Sequence, residues 1–484
     1  LRTEEEYYVV LPAEVVAMMD EEELRRHHSV PTPIYRLRKA LYGLQRSAFD
    51  WITTMIEHLQ TKGWTSTAFD PALLIREVDG EREMLCLYVD DVLLLAPEHR
   101  MKTCWEEVLS EFQATDPSEC TEYIGVRFPV TTLDATRCMA VDMRDYANSI
   151  VRDMEAEGIK VNPSYVPITG DAVKQLVYQR EKTKGETVDP KKLRRVQGYI
   201  GRLMWLARTG RPDIGHAVTL LASVVGTWDD LAEKEMRRLV GYLKHTSSQM
   251  LYYQVHLDPD TQRVRTPQDD SQIIFRTYVD ASLQEPRSYS GGVISVCVPG
   301  VGECPFEWWS RRQRICVTST MAAEVIALME GVTESAPLRE LSKYPVRLLC
   351  DNQAAIRVVG QGHSKAMAAY IRPLRLRMAA LKDMIELEQI DVVYVPSKDN
   401  VSDLLTKVFA RFEQARLSRL VGMRFEDKVG SLVNKDGTWV VPEPGEEEEE
   451  RKEREALKRQ YIQEAMNKKK GEATGELSPL DGMD

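Results

Sequence analysis

Apolar positions along this chain fall into short runs of strand character and longer stretches with helical spacing, in a definite order. The run Ile273-Ile-Phe-Arg-Thr-Tyr-Val279 reads as a buried strand that ends at Asp280. Val346-Arg-Leu-Leu-Cys350 reads as another, capped by Asp351. Between them, Thr320 to Val332 has the spacing of a helix with Glu324 in its first turn, and beyond them Ser402 to Phe409 predicts a short helix opened by Asp403. From 272 to 412 the predicted order is strand, strand, strand, helix, strand, helix, helix, strand, helix. Parallel strands joined through helices imply a mixed sheet covered on both faces. Gly291-Gly292 marks a close approach of one strand to the acidic edge, where a side chain would intrude.

Upstream, Leu85-Cys-Leu-Tyr-Val-Asp-Asp-Val-Leu-Leu-Leu-Ala96 is an apolar run interrupted once, by Asp90-Asp91. Two strands meeting at an acidic tip predict a β-hairpin. Helical spacing marks Ala40–Lys62, Tyr199–Leu206 and Ile214–Val225, with Arg211-Pro-Asp213 setting the turn between the last two and Pro212 near a helix start. Residues 257–271 are polar, hold two prolines and show no periodicity, so they predict a linker. Pro442-Glu-Pro-Gly445 breaks structure ahead of an acidic run, Glu446 to Glu450, and 441–484 predict a charged, disordered tail.

Composition narrows the class. A chain of 484 residues with 43% hydrophobic content can bury several cores. Its eight cysteines form no Cys-x-x-Cys pair and most sit in apolar runs, which points to reduced, buried thiols and away from zinc. No apolar stretch is long enough to span a bilayer and no signal peptide opens the chain, so the expectation is a soluble intracellular protein with no membrane partner. The net charge of −11 is concentrated at the ends. Residues 1–26 hold eight acids against three bases and residues 441–484 thirteen against eight, which leaves the body close to neutral. Basic groups remain there: Arg194-Arg195, Arg237-Arg238 with Lys244, Arg311, Arg312 and Arg314, and Arg372, Arg375 and Arg377. Such clusters can follow a phosphate backbone, and each can equally be a solvated helix face. Arg311, Arg312 and Arg314 are the best placed, beside the strand that would carry substrate toward Asp280 and Glu324.

Asp280, Glu324, Asp351 and Asp403 each lie at a strand end or a helix start, where a sheet presents side chains to one edge. Four converging carboxylates repel unless cations hold them, and hard oxygen ligands select Mg²⁺ or Mn²⁺. Two such ions can clamp the attacking and leaving oxygens of a phosphodiester, so the pattern implies a nuclease.

Six blocks surround these acids in order: Tyr278-Val-Asp-Ala281, Ser290-Gly-Gly-Val293, Trp309-Ser310 with Arg312-Gln313, Thr318-Ser-Thr-Met-Ala-Ala-Glu324 with Ala327-Leu328, Cys350-Asp-Asn-Gln-Ala-Ala355, and Val401-Ser-Asp-Leu-Leu-Thr-Lys407. Together they resemble the ribonuclease H domain of Copia-type LTR retrotransposon polyproteins. Tyr88-Val-Asp-Asp91 resembles the acidic hairpin of reverse transcriptases, and Leu41-Tyr-Gly-Leu44 with Trp51 resembles an earlier block of the same enzymes. Tyr123-Ile-Gly-Val126, Val196-Gln-Gly-Tyr-Ile-Gly-Arg-Leu203 and Thr209-Gly-Arg-Pro-Asp-Ile214 resemble the family's thumb and connection blocks. The resemblance spans residues 1–412 and departs in two places. Gln45-Arg46 stand where the family has Lys-Gln, and Lys365 is followed by Ala-Met-Ala-Ala-Tyr in place of His-Ile-Asp.

The resemblance implies an α/β chain: an α+β palm remnant followed by a ribonuclease H-like mixed sheet with helices on both faces. It divides the chain into a truncated palm (1–120), thumb and connection (121–256), linker (257–271), ribonuclease H-like domain (272–412), C-terminal extension (413–440) and tail (441–484). It implies that Asp280, Glu324, Asp351 and Asp403 hold two Mg²⁺ or Mn²⁺ ions; Asp280 and Asp351, on adjacent central strands, are the natural candidates to bridge or share them. Asp90 and Asp91 would belong to a polymerase site whose further aspartate precedes Leu1, so DNA synthesis is expected only of the full parent. The implied substrate is the RNA strand of an RNA–DNA hybrid. RNA template, DNA primer and upstream integrase and polymerase segments are the further partners, in a cytoplasmic virus-like particle or the nucleus. The rival is a degenerate, non-catalytic remnant that binds nucleic acid or acts as a scaffold.

Overall fold

The computed structural model describes residues 6–38, 41, 43–44, 46–133, 136–182, 188–256, 273–285, 287–298, 302–342, 344–363 and 372–425. The expected linker at 257–271, the 365–370 block and the 441–484 tail lie outside the described residues. Contacts divide the chain into two compact units, 1–125 and 126–484.

In the first unit, α1 spans Ser47–Gln60 and so starts well after Ala40. Gly43 adopts a left-handed backbone (φ +95°), and the Ser47 hydroxyl donates to the Leu41 carbonyl at 2.6 Å. Together they make a turn where the apolar spacing predicted helix. Four antiparallel strands follow in spatial order: β1 (Thr65–Ser66), β2 (Leu73–Val78), β3 (Glu81–Tyr88) and β4 (Asp91–Leu95), with α2 (Glu98–Leu109) after them. Leu74, Leu85, Leu87 and Leu94 bury one sheet face against Met55 and Leu59 of α1 and Cys104 and Val108 of α2. The fully buried Glu83 carboxylate is tied to Arg76 at 2.6 Å and Arg100 at 2.7 Å. Burial pushes this carboxyl up, and the two guanidiniums outweigh it and hold it below its usual range.

The second unit contains two sheets. One is antiparallel. Its β5 (Val130–Leu133) and β6 (Thr136–Val141) are followed by four helices, α3 (Arg144–Ala156), α4 (Gly170–Lys182), α5 (Pro190–Thr209) and α6 (Gly215–Ser223), then α7 (Asp230–His245) and β7 (Gln249–His256). The other is a five-stranded mixed sheet built from β8 (Ile274–Ser282), β9 (Tyr289–Val298), β10 (Gly302–Arg312), β11 (Val346–Cys350) and β12 (Asp391–Tyr394) in the order β10-β9-β8-β11-β12. The first three are antiparallel, whereas β8, β11 and β12 run parallel. Helices α8 (Thr320–Glu334), α9 (Ala336–Leu341), α10 (Gln353–Gln361) and α11 (Arg372–Glu386) make the crossovers. After them come α12 (Arg411–Leu420) and β13 (Met423–Phe425), which returns to pair with β7.

Side chains alternate along the central strands, so neighbouring residues enter different cores. Val279, Ala281, Trp309 and Leu348 pack against α8, α10 and α11. Tyr278, Tyr289, Val293, Trp308 and Leu349 join the apolar residues of α3, α5, α6 and α7 in a separate core. The mixed sheet is thus covered on both faces as expected, but the second cover comes from the helices of 144–245. The extension after 412 belongs to that second core too, through Leu417, Val421 and Met423. Four cysteines are buried (Cys104, Cys138, Cys297 and Cys350), while Cys120 and Cys316 are exposed, a correction to the expectation of mostly buried thiols. Among the described residues no helix is long and apolar enough to cross a membrane.

Candidate metal centre

The strand β8 places Asp280 opposite Gly291 of β9. A Cβ on Gly291 would stand 2.7 Å from Leu405 Cβ and 2.8 Å from Thr406 Cγ2. Glycine here therefore lets the 3₁₀ segment Val401–Leu405 lie directly on the strand. Asn400 fastens that segment: its amide donates to the Val279 carbonyl at 3.1 Å, and its side-chain oxygen accepts from the Ser402 hydroxyl at 2.6 Å. On the far side a Cβ on Gly215 of α6 would come within 2.9 Å of Leu405 Cδ2. Leu405 is fully buried between the two glycines.

This clamp sets Asp403 beside Asp280. Ligand oxygens of Asp280, Asp351 and Asp403 lie within 4.8 Å of one another, and so do ligand atoms of Glu324, Cys350 and Asp351. Asp351 is common to both groups, whereas Asp280 belongs to one. The four acids read from the sequence therefore meet at the carboxyl ends of β8 and β11. Two local expectations change. Glu324 sits in the second turn of α8, whose start is capped by the Ser319 hydroxyl accepting from Ala322 N–H, and Asp403 lies in a 3₁₀ turn rather than opening a helix to Phe409.

Three further groups shape the centre and carried no assigned role in the sequence. Thr406 donates its hydroxyl to Asp280 Oδ2. The Lys407 ammonium donates to Asp403 Oδ1 at 2.7 Å and to Asp280 Oδ1 at 3.1 Å. Gln313, itself buried, donates to the Ser290 hydroxyl at 2.7 Å and to the Ala323 carbonyl at 2.9 Å, anchoring the backbone next to Glu324. The spacing of four between Asp403 and Lys407, and the lysine's place at the end of the Val401–Lys407 block, were the available signals for it.

Burial, then the Asp280 and Asp351 charges, push the Glu324 carboxyl well above its usual range. Burial and the Asp280 charge push Asp403 up to about 7, against the opposing pull of Lys407. The centre is short of positive charge, and a bound cation would supply it. The donor set fits Mg²⁺ or Mn²⁺, since four carboxylates offer hard oxygens. Burial pushes the Cys350 thiol up, so it stays protonated, donating to Glu324 Oε2 at 3.8 Å, and adds no soft thiolate.

The other predicted residues lie elsewhere. Asp90 and Asp91 are exposed at the tip of the β3–β4 hairpin, where Tyr88 pairs with Asp91. Val89 holds φ +55°, a strained setting for a β-branched residue, and its carbonyl accepts from the Trp51 indole at 2.5 Å. Neither aspartate enters a metal-sized cluster among the described residues. Arg314, Arg372 and Arg375 are exposed and Arg312 and Arg377 half-buried; Arg311 is paired with Glu334 at 2.7 Å. Arg195 and Lys244 are engaged with Glu157 and Glu155, each at 2.6 Å, so these two stitch helices together.

The chain that builds this mixed sheet, acidic edge and hairpin is similar to known retrotransposon proteins. Residues 4–170 match the family described as reverse transcriptase (RNA-dependent DNA polymerase). The Pol polyprotein of transposon TNT 1-94 from Nicotiana tabacum is 22% identical over 404 residues, covering 81% of this chain and 28% of the relative. The putative transposon Ty5-1 protein of Saccharomyces cerevisiae is 23% identical over 312 residues, covering 63% of this chain and 90% of that protein. Among solved structures, ribonuclease H1 from Halobacterium salinarum is 15% identical, covers 28% of this chain and 94% of that one, and has a TM-score of 0.22. The chain is similar to Copia-type retrotransposon Pol polyproteins, and it spans about a quarter of the length of the plant polyproteins it matches.

Proposed function

We propose that this chain cleaves the RNA strand of RNA–DNA hybrids at the centre formed by Asp280, Glu324, Asp351 and Asp403. The observation that carries the reading is the meeting of these four carboxylates in two overlapping clusters that share Asp351. Two Mg²⁺ or Mn²⁺ ions held there would activate a water and stabilise the departing 3′-oxygen. The chain's own part is placement. Gly291, Asn400 and Thr406 hold Asp403 and Asp280 together, Gln313 holds the turn that carries Glu324, and no side-chain nucleophile is required. Arg314 and Arg375, both exposed, are suited to phosphate contacts, and an A-like hybrid would be read by shape and 2′-hydroxyls. We assign DNA synthesis, with Asp90 and Asp91 as ligands, to the parent polyprotein, and place its work in a cytoplasmic particle.

The test is cleavage of a labelled hybrid by the full chain with Mg²⁺ or Mn²⁺, beside Asp351→Asn and Glu324→Gln. Each variant is expected to lose about 10²–10³-fold in rate while keeping its fold. A folded wild-type chain that leaves the hybrid intact would overturn the reading in favour of a non-catalytic nucleic-acid binder.

A further inference from the structure

Lys407 brings a positive charge into the centre from within the chain. Its ammonium lies 2.7 Å from Asp403 Oδ1 and 3.1 Å from Asp280 Oδ1. These are two of the three residues whose oxygens converge in the Asp280, Asp351 and Asp403 cluster. An ion coordinated there, about 2 Å from its oxygens, would draw on the same two carboxylates. Two cations drawing on the same carboxylates at this range repel, so both arrangements are not occupied together.

The carboxylates and the lysine differ in how firmly they are held. Asp280 is nearly fully buried on a central strand, and Asp403 is fixed by the Asn400 clamp, with side chains 2% and 13% exposed. Lys407 follows the 3₁₀ segment in a stretch without helix or strand, and 35% of its side chain is exposed. A four-carbon stem can withdraw its ammonium toward that open side without moving the backbone.

Resting on the nuclease reading above, we propose that Lys407 is a displaceable counter-cation. It holds Asp280 and Asp403 together while no divalent ion is bound, competes with the ion for them, and so sets the divalent affinity of the centre. It acts through the carboxylates and is a positioning residue. Once displaced, it stands at the mouth of the centre as a charge available to a substrate phosphate.

The experiment is Mn²⁺ titration of the full chain by calorimetry, comparing wild type with Lys407→Met and Lys407→Arg, together with melting in a chelator. Lys407→Met is expected to bind Mn²⁺ about tenfold tighter, a coupling of ordinary size, and to melt lower in the chelator. Lys407→Arg should bind no tighter than wild type. A second measurement needs no variant: the acylation rate of Lys407 in the wild-type chain, read by mass spectrometry, should rise when Mn²⁺ is added. Equal or weaker Mn²⁺ binding by a folded Lys407→Met, or a Lys407 acylation rate that Mn²⁺ leaves unchanged or lowers, would overturn the proposal alone. A wild-type chain that binds no Mn²⁺ would overturn both this proposal and the nuclease reading.

Discussion

The indole of Trp308, on β10, donates to the Ala207 carbonyl of α5 at 2.7 Å. Two residues on, the Ser310 carbonyl accepts from the Thr219 hydroxyl of α6 at 3.0 Å. Tyr278, Tyr289, Val293 and Trp308 enter a core supplied largely by α3, α5, α6 and α7. One face of the mixed sheet is therefore built for the helical layer and not for water.

A fragment limited to residues 272–425 would expose that face. Burial of each large apolar side chain is worth about 1.5–3 kcal/mol, and several are lost at once. The expected outcome is a fragment that binds ANS and lacks a cooperative melt, while residues 126–425 melt in one transition. A fragment with slow amide exchange and a sharp melt would refute the dependence.

Gly291→Val should unseat the segment that carries Asp403. Its Cβ meets Leu405 and Thr406 within 2.8 Å, and Leu405 is backed by Gly215. Overpacking of this kind costs about 1–3 kcal/mol. Mn²⁺ binding should weaken more than stability alone accounts for, which calorimetry on the folded variant would show.

Arg211 and Asp213 form a buried bidentate pair, both contacts at 2.8 Å, and Arg211 also donates to the Thr246 hydroxyl at 2.6 Å. The Asp213 carbonyl accepts from Gln414 at 2.9 Å, so the pair links α12 to the turn after α5. Arg211→Leu leaves a carboxylate buried without its partner, at an expected cost of about 3–5 kcal/mol. Adding Asp213→Leu should recover much of it, as read by urea denaturation.

His216 is buried against Tyr289 and the Leu405 backbone, and burial lowers its pKa to about 3. The unfolded chain takes up this proton near pH 6.5 and the folded chain refuses it until about pH 3, so stability is lost as pH falls through that window. His216→Leu should flatten the dependence of melting temperature on pH between about 6.5 and 4. An unchanged slope would mean that the ring is charged in the folded state.

Asp403 works in the opposite direction. Its folded pKa of about 7 lies above the ordinary carboxylate value, so without a divalent ion its contribution is present at low pH and lost as pH rises through about 7. Asp403→Asn should raise the melting temperature in chelator at pH 8 and have little effect at pH 4. It should also abolish most of the stabilisation that Mn²⁺ confers on wild type, which thermal melts with and without the ion would check.

Three of the acids were legible because they sit at a switch in apolar periodicity: Asp280 and Asp351 at strand ends, Asp403 at the expected start of a short helix. Glu324 was legible as a charge within an otherwise apolar helix. The start of α1 was not, because a left-handed Gly43 overrides spacing that continues back to Ala40. Lys407 was also missed, because a lysine four residues from an aspartate reads as a surface pair when the partner strand is unknown.

Local pattern, with the family resemblance, thus determined most of the strands and helices of the mixed sheet, the acidic hairpin and the four acids of the centre, since periodicity and composition act over neighbouring positions. It did not show the short helix Ala336–Leu341 or the 3₁₀ turn at Asp403. Only the tertiary structure decided that Asp351 is the acid common to both clusters, that Lys407 enters the centre, and that the helices of 144–245 cover the second face of the sheet. Those relationships join residues far apart in the chain, by more than one hundred positions in Trp308 and Ala207 and in Lys407 and Asp280. They arise from packing two apolar faces together and from the repulsion of carboxylates brought to one edge, and neither force has a signature in any short stretch of chain.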